Sequence, residues 1–156
     1  MAWTMASRLP LVLGPAVLGA AVDLVLKTAL HTSAWDYHQR SRAWSVLALV
    51  LLAVLLAIGL LPSRLASLAA GLAAGGVAGN VLSARLHGGR VPNPLVLGPV
   101  AFNLADVLVL AAAPLLVIAV ARVAIRHHAF IDRHVPPRSW ERGLRRRLGL
   151  GLDGKR

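Results

Sequence analysis

Six polar side chains fall inside stretches that are otherwise apolar: Asp23 and Lys27 in LGAAVDLVLKTAL, Asn80 and Ser83 in GGVAGNVLSARL, and Asn103 and Asp106 in AFNLADVLVL. A carboxylate at membrane depth costs about 2.5 kcal/mol or more, so it is normally kept for a task inside a bundle. The residue types allow several kinds of chemistry. Asp23 and Asp106 are groups that could take up and release protons, Lys27 and Ser83 are a formal base and nucleophile, and the amides can donate hydrogen bonds to a carbonyl. Each also has a structural reading. Asp23 and Lys27, four residues apart, fit an intrahelical ion pair whose lysine reaches for the interface. A single asparagine such as Asn80 is often a bond between helices. Asp106 has no cation near it in its own segment, and the convergence of all six favours a site.

The segments that must position these groups are long and apolar. The chain is 57% hydrophobic and only 15% charged, and its apolar residues come in blocks, which predicts an all-α integral membrane protein. Four stretches are long enough to cross a bilayer: Leu9 to Leu30, Ala43 to Leu61, Leu65 to Leu86, and Val100 to Ile125. The first is too long for the apolar run of a cleavable signal peptide, and a second span follows it. A four-helix transmembrane domain over 1–126 and a basic tail over 127–156 are expected. There is no cysteine, which excludes a disulfide framework, a thiolate metal site and a lipid-modified cysteine.

Arginines set the expected orientation. Arg126 and, in the tail, Arg133, Arg138, Arg142, Arg145, Arg146, Arg147, Lys155 and Arg156 lie on the same side as Arg8 and Arg64, and the positive-inside rule then puts both termini in the cytoplasm. Arg40, Arg42 and Arg90 count against it. In this topology the first and third helices run outward and the fourth runs back, so all six polar groups arrive near the outer interface. Within each helix they share a face, at i, i+4 or i, i+3. Ser67, Gly71, Gly75, Gly79 and Ser83 recur every four residues, a small-residue stripe that lets a neighbouring backbone approach closely.

The remaining polar segments are less specific. Trp35 and Tyr37 suit an aromatic interface belt. His31, Asp36 and His38 lack the spacing of a metal site, so no metal and no cofactor is expected. In the tail, Trp140, Leu144 and Leu148 repeat every four residues among Arg142, Arg145, Arg146 and Arg147, which fits a short helix after Pro136 and Pro137 lying on anionic lipid. The formal net charge is +11, yet the basic residues sit beside a membrane span without a recognition motif, so nucleic acid is not an expected partner. A monomer is expected.

Taken in order, these residues resemble the lipoprotein signal peptidase family (signal peptidase II), four-helix aspartic proteases of the bacterial plasma membrane. The resemblance rests on Asp23 with Lys27, Gly79-Asn80, Val91-Pro92-Asn93-Pro94 and Phe102-Asn103-Leu104-Ala105-Asp106, which match the family's Asp-x-x-x-Lys, GN-x-x-D-R, V-x-D-F and F-N-x-A-D elements. It implies a multi-pass protein with its site facing the extracytoplasmic side. It further implies an activity, removal of signal peptides from diacylglyceryl-modified prolipoproteins, with the prolipoprotein or its signal peptide and membrane lipids as partners. Asp106 matches one catalytic aspartate; Lys27, Asn80, Ser83, Arg85 and Asn103 fall at or beside supporting positions.

The chain departs from that pattern at the chemistry. Ser83-Ala84-Arg85 replaces Asp-Arg, so Arg85 matches only with a one-residue insertion, and the other catalytic aspartate falls on Asn93. Two neighbouring carboxylates divide the labour because repulsion drives their proton affinities apart. An amide can donate a hydrogen bond but cannot relay a proton. Neither Pro92 nor Pro94 restores a carboxylate if the alignment slips by one. Two expectations follow: an endopeptidase with an atypical dyad, Asp23 being a candidate substitute partner for Asp106, or a non-catalytic relative that binds lipoproteins, signal peptides or lipids in the same groove.

Overall fold

A computed structural model describes residues 5–33, 36–134 and 147 of the chain. Its elements run α1 (Met5–Ala29), β1 (Tyr37–Gln39), α2 (Arg42–Gly59), α3 (Arg64–Leu86), β2 (Arg90–Pro92), β3 (Leu95–Leu97), β4 (Val100–Phe102) and α4 (Leu104–His134). All four helices are long and apolar enough to cross a membrane. Compact units divide the chain at Met1–Val123 and Ala124–Arg156. The expected tail helix after Pro136 lies outside the described residues, as does Trp35.

Two expectations change. Val100 belongs to a strand rather than to the fourth span, because Leu95–Leu97 and Val100–Phe102 form an antiparallel hairpin, Leu95 opposite Phe102 and Leu97 opposite Val100. Gly98, at φ 57°, opens its two-residue turn, a conformation glycine adopts without a steric penalty. At its other end α4 runs on past Ile125 to His134, since no proline or glycine stops it before Pro136. The strands were not expected at all. β1 pairs antiparallel with β2, His38 opposite Val91, so the connection after α1 is tied to the one after α3.

Helix α3 is the central element: 67% of its most apolar window is buried, against 17–22% for the other three. Its small residues explain why. A Cβ at Gly71 would strike the Val12 carbonyl oxygen, one at Gly75 would lie 2.8 Å from the Ala16 carbonyl oxygen, and one at Gly76 would strike the Ala105 carbonyl oxygen. The stripe thus seats α1, and Gly76 beside it receives the first turn of α4. Serines start α2 and α3, Ser41 accepting from the Trp44 N–H and Ser63 from the Ala66 N–H, as N-caps do. Large aliphatic side chains such as Val17, Leu18, Val46, Leu47, Leu110 and Val117 are exposed, an outer surface suited to lipid.

Candidate functional site

The polar groups singled out in the sequence meet at the end of the bundle where α1 and α3 finish and α4 begins. Lys27 Nζ donates to Asp23 Oδ2 at 2.6 Å and to Asn80 Oδ1 at 2.8 Å. Asn80 Nδ2 donates onward to Asp106 Oδ1 at 3.1 Å. The free Asp23 oxygen, Oδ1, accepts the Ala105 backbone N–H at 2.9 Å. Asp23 is 0% exposed and Lys27 5%, so this ion pair is held out of solvent and lipid alike, and every charge and amide in it has a partner. Gly79 makes room for it: a Cβ there would lie 2.6 Å from Asp23 Oδ2.

Asn103 is the hinge of the second half. Its Oδ1 accepts the Asp106 N–H at 3.1 Å, and Asp106 Oδ2 accepts the Asn103 N–H at 3.1 Å. This reciprocal exchange is a capping box at the start of α4. With Asp23 taking the Ala105 N–H, orphan donors of the first turn are satisfied from two helices. Asn103 Nδ2 reaches Asn93 Oδ1 at 2.6 Å, and Asn93 Nδ2 donates to the Ala101 carbonyl at 3.1 Å and meets His38 Nδ1 at 3.0 Å. A neutral His38 accepting that bond carries its proton on Nε2. Asn93 is also fixed by its backbone N–H on the Asp36 carbonyl, 3.0 Å away. Asn93 and Asn103 are 1% and 0% exposed, so the position resembling a catalytic aspartate carries a sequestered amide with its oxygen and nitrogen both engaged.

Asp106 differs from its partners in being only partly buried. It lines a groove of about 650 Å³ between α2 and α4. Leu47 and Leu51 on α2 and Val109 and Leu110 on α4 form apolar walls, Val77 the floor, and Arg40, Asn80 and Asp106 the polar end. Asp106 is the one carboxylate among the lining residues. With one hydrogen bond on each oxygen it retains lone pairs for a further donor. Arg40 lies over the Trp44 ring at 4.9 Å, a cation–π contact that orients it at the mouth.

Two residues stand apart from the network. Ser83 is fully buried and its Oγ has no hydrogen-bond partner, so Lys27, whose Nζ is bonded to Asp23 and Asn80, is not its base. Arg85 is exposed and lines a different groove. Asp36 accepts from Ser33 Oγ, and no cluster of three metal-ligating side chains occurs among the described residues.

Chemically, the arrangement offers one accessible carboxylate, two amides bonded to it or capping it, and an apolar groove. Sequence reasoning weighed His38 only as a metal ligand, not as a partner of Asn93, and missed the pair Arg40–Trp44. The capping box also went unread, although Asn103 followed three residues later by Asp106 before an apolar run is a signal for it. The pairing of His38 with Asn93 had no local signal, because it is created by the β1–β2 register. No family model, curated relative or solved structure matches the chain.

Proposed function

We propose that the chain is a signal peptidase II-like protein of a bacterial plasma membrane that holds the signal-peptide segment of a prolipoprotein in the groove between α2 and α4, without cleaving it. The observation that carries this reading is the count of carboxylates at the groove. Asp106 is the one carboxylate lining it, Asn93 is an amide buried at 1% exposure, and both Asp23 oxygens are engaged by Lys27 and the Ala105 N–H. Acid–base hydrolysis of an amide needs one group to take a proton from water and another to supply one. Loss of such a group removes about 10²–10⁴ of the rate. What remains suits binding: apolar walls for a hydrophobic segment, and at the polar end Asp106 to accept peptide N–H groups, with Asn80 beside it.

Cleavage is the second reading, favoured by the accessibility of Asp106, which as a membrane aspartic endopeptidase would act as base for water with Asn80 bonded to its carboxylate. In either case the site faces the extracytoplasmic side and the basic tail lies on anionic lipid at the cytoplasmic face, both termini being cytoplasmic.

Trp44, beside the polar end, gives the test. A signal-peptide segment carrying a dansyl group at its lipid-modified end should quench fluorescence saturably in wild type, lose that quenching in Trp44→Phe, and bind weakly when Leu47→Trp and Leu110→Trp fill the groove. Binding unaffected by filling the groove would refute the assignment.

A further inference from the structure

From the arginines outside the polar network, we propose a second site, for an anionic phospholipid, on the opposite flank of the α2 N-terminus. Arg40, Arg42 and Arg85 line a groove of about 490 Å³ together with the apolar Val46, Leu49 and Ala84. No lining residue is acidic, and the buried ion pair of Lys27 with Asp23 involves none of these arginines. Arg40 Nε is shielded from solvent and has no acceptor. A concavity lined by three arginines and no carboxylate suits a phosphodiester, which arginine binds in a fork of parallel N–H donors. The positive end of α2, an 18-residue helix, opens at the same place and adds to the anion preference.

The apolar lining decides between a lipid and a free anion. Val46 and Leu49 lie three residues apart on α2, are themselves exposed, and continue into its outer aliphatic surface, where Val50 also faces outward. An acyl chain can run along that surface while the headgroup phosphate stays at the arginines. Gly88 and Gly89, at φ 61° and 89°, form the rim, where the absence of side chains leaves room for a headgroup. This site also gives Arg40 and Arg42 a role on the face where the positive-inside rule disfavours them. Arg40 lines both grooves, so a bound lipid would lie beside the peptide groove.

The test is native mass spectrometry of the full chain released from zwitterionic detergent, titrated with short-chain phosphatidylglycerol, the matching phosphatidylcholine, and glycerol 3-phosphate. The expected result is a tightest phosphatidylglycerol held at least about tenfold more firmly than phosphatidylcholine and not displaced by millimolar glycerol 3-phosphate. Arg42→Gln with Arg85→Gln should weaken it about tenfold or more, a loss of the size carried by charge-assisted bonds, whereas Arg145→Gln with Arg146→Gln should remove only weaker additional lipids. Equal retention of the two lipids, displacement by glycerol 3-phosphate, or an unchanged tightest lipid in the Arg42/Arg85 variant would each overturn the site. The comparison among ligands on wild type decides the matter even if that variant does not fold.

Discussion

Lys27→Met removes the ammonium group that joins Asp23 on α1 to Asn80 on α3. In the wild type its Nζ lies 2.6 Å from Asp23 Oδ2 and 2.8 Å from Asn80 Oδ1, with the pair 5% and 0% exposed. The substitution leaves a carboxylate in the interior with one hydrogen bond, from the Ala105 N–H. Breaking a buried pair by deleting one partner costs about 3–5 kcal/mol, whereas an exposed pair is worth only about 0–1 kcal/mol. Asp23→Asn combined with Lys27→Met should be far milder than Lys27→Met alone. The amide still accepts the Ala105 N–H, no charge is stranded, and neutral replacement of a buried pair is often close to energetically neutral. Unfolding in mixed micelles by sodium dodecyl sulfate titration, followed by tryptophan fluorescence, measures all four corners of the double-mutant cycle. A Lys27→Met cost under about 1 kcal/mol, or a double variant as unstable as the sum of the single ones, would refute the reasoning that this pair is a desolvated structural unit.

Other substitutions separate the parts of the network. Gly79→Ala should cost about 1–3 kcal/mol in the same titration, because the new Cβ would sit 2.6 Å from an Asp23 oxygen that Lys27 holds in place; the cost should shrink on an Asp23→Ala background. Asn103→Ala loses the cap on the Asp106 N–H, worth about 0.5–2 kcal/mol, and strands Asn93 Oδ1, so amide exchange in the first turn of α4 should accelerate. Ser83→Ala should leave stability unchanged or raise it, since Ser83 Oγ has no partner. Ser67→Ala should lower it by about 1 kcal/mol, since Ser67 Oγ donates to the Gly59 carbonyl at 2.7 Å.

Much of this was legible in the sequence because a membrane span has so few ways to hide a polar group. Asp23, Lys27, Asn80, Asn103 and Asp106 stood out from their apolar surroundings, and helical spacing together with alternating direction brought them to one end. The stripe from Ser67 to Ser83 likewise announced close packing, and the glycine contacts with Val12 and Ala16 are its result. What escaped was the role of each group once assembled. Asn103 and Asp106 read as a polar pair and are also a helix cap. Ser83 read as a possible nucleophile and turns out to have no partner. The strands from Tyr37 to Phe102 are only three residues each, too short for an alternation pattern, and the His38–Asn93 bond follows from their register. Arg85 read as part of the site because a resemblance of motifs carries no side-chain direction; it faces the second groove instead.

The central claim is that Asp106 is a binding carboxylate without a catalytic partner. The most direct test is turnover of a fluorogenic lipidated prolipoprotein peptide by the purified protein, with wild type, Asp106→Asn, Asp23→Asn and Asn93→Asp run in parallel. The expected result is no cleavage by wild type or by either aspartate variant, any turnover being confined to Asn93→Asp, where a carboxyl would accept from Asn103 Nδ2. Wild-type turnover abolished by Asp106→Asn would contradict it and establish an endopeptidase.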